Sequence, residues 1–125
     1  MHQPQGYEVK GKEKLVCRLK KSLYGLKQAP RKWYLKFDKF ISEQGYTRCD
    51  SDHCVYLKKQ NDGSYIILLL YVDDMLVVGS NMQEINVLKR KLANSFVMKD
   101  LGAAKQILGM RITGDMKNHK LTLSL

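Results

Sequence analysis

The stretch YIILLLYVDDMLVVG, residues 65–79, places two adjacent aspartates inside the most apolar part of the chain. Asp73 and Asp74 repel each other at contact distance, and removing a carboxylate from water is costly unless a cation or hydrogen bonds compensate. The apolar runs on both sides are typical of strands, so the sequence predicts a hairpin with both carboxylates at or near its turn. Two explanations stay open at this point: a solvated turn, in which Asp is common, or a site that binds something positive.

The sequence around this hairpin predicts a second hairpin before it and a helix after it. CVYLKK and SYIILLLY are separated by QNDG, residues 60–63, whose Asp-Gly step is a strong hairpin signal. Ser80 and Gln83 form a capping-box pattern. The helix that follows has an apolar stripe made of Ile85, Leu88, Leu92 and Phe96.

The two ends of the chain give weaker patterns. LVCRL, residues 15–19, alternates apolar and other residues and predicts a short strand. Gly25 predicts a turn, Pro30 a helix start and Gly45 its C-terminal cap. The helix between them has apolar residues at Trp33, Phe37, Phe40 and Ile41. AKQILGMRI and KLTLSL predict two further strands, joined by a turn around residues 114–118.

This order of elements predicts the fold class. Two amphipathic helices accompany hairpins that pair antiparallel, so we expect an α+β domain in which both helices lie on one face of a mainly antiparallel sheet.

Positive charge is concentrated in one block of the sequence. The chain has a formal net charge of +10, and residues 10–39 alone hold eleven Lys or Arg against two acids. Such a block is often only a solvated face. It also suits a polyanion, because Lys and Arg release counterions from a phosphate backbone.

The cysteines and the overall hydropathy favour an intracellular protein. Three cysteines, an odd number, argue against a disulfide framework. CDSDHC, residues 49–54, has loose spacing for a zinc knuckle, and we interpret it as a loop with a half-buried thiol. No apolar stretch approaches the roughly 18–20 residues that span a bilayer, and the N-terminus lacks a secretory signal. We expect a cytoplasmic location; a virus-like particle or the nucleus is also compatible.

Four ordered segments resemble one protein family. They are MHQPQGY, VCRLKKSLYGLKQAPRKWY, LLLYVDDMLVVGS and the pair FVMKDLGAAKQILGMRI and KLTLSL. In this order and spacing they resemble the reverse transcriptases of Ty1/copia-type LTR retrotransposons over nearly the whole chain. The resemblance implies the palm of a right-handed polymerase and an RNA-directed DNA polymerase that uses two Mg²⁺ ions.

The resemblance also implies roles for particular residues. Asp73 and Asp74 match the catalytic, metal-binding pair, with Asp73 the direct ligand, and Lys99 falls where polymerases often place a proton donor for pyrophosphate. The remaining matched positions are implied to contact the nucleotide substrate or the template: Tyr24, Gly25, Lys27, Gln28, Arg31 and Tyr71.

Some family motifs have no counterpart in this sequence. The resemblance implies a third carboxylate on an apolar strand before the basic block, but Glu8 and Glu13 lie in polar surroundings and Asp38 falls within the first helix. Residues 1–125 are therefore expected to be a partial reverse transcriptase domain, a palm without fingers, first aspartate strand or thumb, from a truncated reading frame. We expect little or no DNA synthesis by the isolated chain, and an unpaired sheet edge that favours self-association.

Three readings of function remain. The first is the palm of an RNA-directed DNA polymerase that works on an RNA or DNA template-primer with deoxynucleoside triphosphates. The second is a non-catalytic basic module that binds nucleic acid. The third is a structural remnant whose basic block is only a solvated face.

Overall fold

The computed structural model describes residues 1–115 and 117–125. The chain divides into two compact units, Met1–Gly45 and Tyr46–Leu125. No helix in these described ranges is long and apolar enough to cross a membrane.

The first unit contains one helix, α1, at Ala29–Glu43. Pro30 lies in its first turn, where the missing N–H costs little. Its end is set by Gly45, which has a φ of +82° and donates its N–H to the Ser42 carbonyl at 2.9 Å. Phe37 and Ile41 are fully buried, and the Trp33 ring stacks on Phe37 with 5.4 Å between centroids. The predicted helix is confirmed.

The strand predicted at residues 15–19 is wrong. This segment is exposed and has no strand. Its backbone hydrogen bonds include a turn bond from the Leu15 N–H to the Lys12 carbonyl at 3.0 Å and a long-range bond from the Cys17 N–H to the Met1 carbonyl at 2.8 Å. A five-residue alternation is too short to decide the matter, because a strand also needs a neighbouring backbone to pair with.

The second unit begins with a four-stranded antiparallel sheet of order β1-β2-β3-β4. Its strands are β1 (Thr47–Arg48), β2 (Val55–Lys59), β3 (Tyr65–Tyr71) and β4 (Asp74–Val78). Both predicted hairpins, β2–β3 and β3–β4, are confirmed. The segment CDSDHC is the loop between β1 and β2. The sheet order leaves β4 at an edge.

The helix α2 (Met82–Ser95) packs its apolar stripe onto this sheet. All four stripe residues predicted from the sequence are buried, as are alternate residues of β3. Gly79 shows the contact: a Cβ there would come within 3.2 Å of Ile66 Cγ1 and 3.5 Å of Ile85 Cδ1. The buried core of this unit consists of Tyr46, Tyr56, Ile66, Leu68, Leu70, Ile85, Leu88, Leu92 and Phe96.

The capping box predicted for α2 is displaced by one residue. The N-cap is Asn81, not Ser80, and its Oδ1 accepts from the backbone N–H of Gln83 at 3.0 Å and of Glu84 at 3.2 Å. Asn and Ser are comparable N-caps, so the sequence pattern did not decide between them.

The second unit ends in a three-stranded antiparallel sheet of order β5-β6-β7. It contains β5 (Gln106–Ile107), β6 (Met110–Asp115) and β7 (Lys120–Ser124). The single strand predicted at residues 104–112 is two strands, because Leu108 and Gly109, with φ of +51° and +79°, form a two-residue turn.

The turn predicted around residues 114–118 is placed slightly too early. Gly114 belongs to β6, and Asp115 Oδ1 accepts from the N–H groups of Lys117 and Asn118. Met116 lies outside the described residues. Over the described residues, two helices and two small antiparallel sheets make an α+β fold, which confirms the predicted fold class.

Candidate active site

The two aspartates lie at the tip of the β3–β4 hairpin. Tyr71 and Asp74 are the last paired residues, so Val72 and Asp73 form the whole connection. Val72 has a φ of +51°, a left-handed conformation that is an outlier for a β-branched side chain and carries strain. Asp73 and Asp74 are both exposed. The hairpin therefore presents two neighbouring carboxylates to solvent from a tight turn.

The strands behind the turn explain how an apolar stretch tolerates this pair. Ile66, Leu68 and Leu70 of β3 are buried, while Tyr71 is exposed at the strand end. The Leu70 N–H donates to the Cys54 carbonyl at 2.8 Å, which ties the tip of β3 to the loop before β2. The carboxylates thus extend just beyond the buried part of the hairpin, where they stay hydrated.

The turn of the preceding hairpin, between β2 and β3, provides a contrast. Asp62 Oδ1 accepts from the Ser64 hydroxyl at 2.6 Å and from its backbone N–H at 2.9 Å. These bonds, the hydroxyl first, lower the pKa of Asp62. Asp62 therefore stabilises its own turn.

The pair at residues 73–74 fits part of a magnesium site. Mg²⁺ prefers oxygen ligands and usually keeps several waters, with one or two carboxylates and substrate phosphates completing the sphere. Two exposed carboxylates on adjacent residues supply oxygens of this kind. Within residues 1–115 and 117–125, no group of three or more His, Cys, Asp or Glu is placed to hold a metal ion.

The nucleotide and template residues predicted in the first unit lie around a turn before α1. The Leu26 N–H donates to the Leu23 carbonyl at 3.3 Å, and Gly25 between them has a φ of +87°, the signature of a type II turn. Tyr24 occupies the preceding turn position and is 96% exposed. Gln28 is the N-cap residue of α1 but makes no side-chain cap. Lys27 and Arg31 are exposed.

A basic groove of 390 Å³ lies next to this turn. Three lysines, Lys20, Lys21 and Lys32, line it together with Leu19, Ser22, Leu26, Gln28 and Ala29. Gln28, one of the predicted contact residues, also lines this groove. None of these three lysines was predicted as a contact residue; their place in the basic block of residues 10–39 was the signal that could have found them.

The segment that carries Lys99 is held by an ion pair. Lys89 Nζ of α2 lies 3.1 Å from one carboxylate oxygen of Asp100. The Gly102 N–H donates to Asp100, and this bond, followed by Lys89, lowers the Asp100 pKa. Lys99 itself is exposed.

The structure brings only some of the predicted residues together. Tyr71, Asp73 and Asp74 meet at one hairpin tip, and Lys99 belongs to the same unit. The other predicted residues, Tyr24, Gly25, Lys27, Gln28 and Arg31, belong to the first unit.

A family model described as reverse transcriptase (RNA-dependent DNA polymerase) matches residues 1–124. The chain belongs to this reverse transcriptase family. The resemblance to Ty1/copia-type elements is confirmed by the relatives described next. Reverse transcriptases generally use Mg²⁺ and act on a nucleic-acid template-primer with deoxynucleoside triphosphates.

The reverse transcriptase segment is shared with Pol polyproteins of plant and yeast transposons. It is 57% identical over 124 residues to the retrovirus-related Pol polyprotein from transposon TNT 1-94 of Nicotiana tabacum, covering 99% of this chain and 9% of that protein. Identity is 34% over 110 residues to the Pol polyprotein from transposon RE1 of Arabidopsis thaliana, covering 88% of this chain and 7% of that protein.

A yeast relative is more distant. The transposon Ty1-DR4 Gag-Pol polyprotein of Saccharomyces cerevisiae is 32% identical over 108 residues, covering 80% of this chain and 6% of the polyprotein. The chain thus spans less than a tenth of these three relatives. No solved structure matches it.

Proposed function

We propose that this chain supplies the carboxylate hairpin of an RNA-directed DNA polymerase encoded by a copia-type Pol polyprotein. The observation that carries the proposal is the position of Asp73 and Asp74 at a two-residue turn between paired strands, in a chain that matches the reverse transcriptase family from residue 1 to 124. In this role residues 1–125 are a partial reverse transcriptase domain that contributes the palm.

The two aspartates have unequal roles in this proposal. Asp73 lies in the connection itself and is the direct metal ligand, while Asp74 is the first residue of β4, opposite Tyr71, and is the more peripheral ligand. When bound, Mg²⁺ polarises the attacking and leaving oxygens of phosphoryl transfer. The paired strands on either side fix the backbone at the turn, which keeps both carboxylates at the tip of the hairpin.

Nucleotide addition belongs to the complete enzyme. Two carboxylates on one turn supply fewer oxygens than a two-metal site requires, and further protein ligands must join them. We therefore expect little or no DNA synthesis from the isolated chain.

The turn before α1 is the proposed nucleotide and template contact. Tyr24 is presented outward by the type II turn that Gly25 permits, and its ring is available to stack on a base. Lys27 and Arg31 are exposed cations suited to phosphates. Gln28 adds an amide at the groove wall. Tyr71, exposed beside the carboxylates, is a further candidate contact.

Lys99 is the proposed proton donor to the pyrophosphate leaving group. Its neighbour Asp100 is anchored to Lys89 of α2 at 3.1 Å, which restrains the backbone on the C-terminal side of Lys99. A restrained backbone supports a positioned general acid better than a free loop does.

A second function is favoured by the basic groove. Lys20, Lys21 and Lys32 around a space of 390 Å³ suit phosphates without any chemistry at Asp73. On this alternative the chain is a non-catalytic nucleic-acid-binding module.

Primer extension and binding measured side by side separate the two functions. The assay follows Mg²⁺-dependent extension of a labelled DNA primer on an RNA template, with Asp73→Asn as control. We expect the parent chain and its Asp73→Asn variant both to bind the template-primer and to extend it little or not at all. A longer Pol fragment should extend the primer, but only when its Asp73 is intact. Extension by the longer fragment that survives Asp73→Asn would refute the assigned role of Asp73.

A further inference from the structure

The C-terminal sheet has one apolar face. Directly opposed residues on antiparallel strands share a face. The register places on one face the pairs Ile107–Met110, Ile112–Leu123 and Gly114–Leu121, and on the other face Gln106–Arg111, Arg111–Ser124, Thr113–Thr122 and Asp115–Lys120.

This apolar face stays open to solvent. Leu121 is 67% and Leu123 52% exposed, and every residue of β7 is exposed. Ile107, Met110 and Ile112 are only half-buried.

On the edge of β7 that faces away from β6, the outward-facing backbone N–H and C=O groups belong to Leu121 and Leu123. Ile112 donates its N–H to the Lys105 carbonyl at 2.9 Å, on the β5 side of β6. Backbone groups alternate sides along a strand, so Arg111, Thr113 and Asp115 face β7. Their partners on β7 are Ser124, Thr122 and Lys120, which therefore face inward. Leu121 and Leu123 direct their N–H and C=O groups away from the sheet.

We propose that β7 pairs antiparallel with β7 of a second copy of this chain, with the two-fold axis passing through Thr122. Leu121 then lies opposite Leu123 of the second copy, and each of these pairs exchanges two backbone hydrogen bonds through its outward groups. The two C-terminal sheets join into one six-stranded sheet with a continuous apolar face.

The sequence of β7 is complementary to itself in this register. All five residues of Lys120–Ser124 find a partner, and the apolar side chains of both copies fall on the same face. The one charged residue, Lys120, lies opposite Ser124 of the second copy rather than opposite another lysine. Within its own hairpin Lys120 is matched by Asp115. An exposed edge strand without proline pairs readily with another chain.

The oligomeric state of the chain tests this proposal directly. Sedimentation equilibrium over a wide range of protein concentration is expected to show a monomer–dimer equilibrium. Each copy carries +10, so raising the salt should strengthen the dimer by screening repulsion between the copies. A monomer at all concentrations and at high salt would overturn the proposal.

A charge swap at Thr122 tests the register. Thr122→Lys places like charges opposite each other at the two-fold axis and should raise the dimer dissociation constant by about fivefold, as should Thr122→Glu. An equal mixture of the two variants should restore dimerisation, because Lys then meets Glu.

Thr113→Lys is the matched control for the charge. Thr113 lies opposite Thr122 on the same polar face, but the two copies of residue 113 would be three strand spacings apart, about 14 Å. This exceeds the Debye length of about 8 Å at physiological salt, so this control should leave the dissociation constant nearly unchanged.

Proline variants identify the edge. Leu123→Pro removes an outward N–H without removing a bond to β6, and should weaken the dimer by about tenfold or more. Val77→Pro does the same at an edge strand of the four-stranded sheet, β4, since the Leu70 bond to Cys54 places the outward groups of β4 at Met75 and Val77. Circular dichroism confirms that each variant folds. A dimer that is weakened by Val77→Pro and not by Leu123→Pro would also overturn the proposal. So would a dimer dissociation constant that stays the same in the Thr122→Lys and Thr122→Glu variants.

Discussion

Tyr71 and Asp74 lie opposite each other in the register of β3 and β4, which leaves only Val72 and Asp73 to connect the two strands. This short connection has two consequences. It holds the two aspartates next to each other at the tip, and it forces Val72 to a φ of +51°. Strained backbone of this kind often accompanies functional sites, where the surrounding structure maintains it.

Val72→Gly is expected to stabilise the protein. Glycine adopts positive φ without strain, and relief of about 1–2 kcal/mol exceeds its added unfolded-state entropy, for a net gain of roughly 0.5–1 kcal/mol. Urea unfolding measures the change. Val78→Gly is the control: Val78 is exposed on β4 but has no positive φ, so its loss should destabilise. Equal destabilisation by both variants would contradict the strain assigned to Val72.

Asn81→Ala is expected to destabilise α2. Its Oδ1 accepts two backbone N–H groups at the helix start, and loss of such a cap costs about 1 kcal/mol. Ser80→Ala should change the free energy of unfolding little. If the Ser80 variant were the more damaging of the two, the capping box anticipated from the sequence would be correct after all.

Tyr46 should make the free energy of unfolding depend on pH in the alkaline range. Burial, and then the charge of Glu84, raises the pKa of Tyr46 to about 12, well above the usual value for tyrosine. The unfolded chain loses this proton first, so the contribution is fully present below pH 10 and is lost as the pH rises toward 12. Two pKa units correspond to a loss of at most about 2.7 kcal/mol, and solvent screening at this partly buried hydroxyl makes the loss smaller.

Tyr46→Phe isolates this effect from the titration of lysines. The difference in unfolding free energy between the parent protein and the variant should be constant below pH 10 and should shift in favour of the variant above it. A difference that is flat across this range would show that the Tyr46 hydroxyl titrates normally in the folded protein.

The groove lysines should control the salt dependence of nucleic-acid binding. Changing Lys20, Lys21 and Lys32 to Gln together should weaken RNA binding and reduce the slope of log affinity against log salt by about two to three. The same three-charge change at Lys59, Lys105 and Lys117, which are exposed outside the basic block, is the control. A slope lowered equally by both triple variants would indicate that only net charge matters.

The strongly periodic segments of this fold were predictable from sequence. The apolar stripe of α2 and the two hairpins were found because a helix or hairpin leaves a regular local pattern. The strand predicted at residues 15–19 failed because pairing is not local. The split of β5 from β6 was missed because Leu108 gives no sign of its positive φ, although Gly109 beside it was a usable hint.

The candidate site was predictable to a similar degree. The aspartate turn stands out because two carboxylates interrupt an apolar run. The groove was not predictable in the same way, because the adjacent Lys20 and Lys21 are separated in sequence from Lys32 and meet it only through the turns before α1.

Magnesium binding at the hairpin tests the central claim most directly. Titration of the ¹⁵N-labelled chain with Mg²⁺, followed by NMR, should shift the amide signals of residues 71–75, and Asp73→Asn should abolish these shifts. Asp62→Asn is the matched control: Asp62 is also a hairpin-turn carboxylate but already accepts hydrogen bonds from Ser64, so this change should leave the response at 71–75 intact. Shifts that persist in Asp73→Asn, or a parent chain with no response at the hairpin, would contradict the assignment of this turn as a metal-binding site.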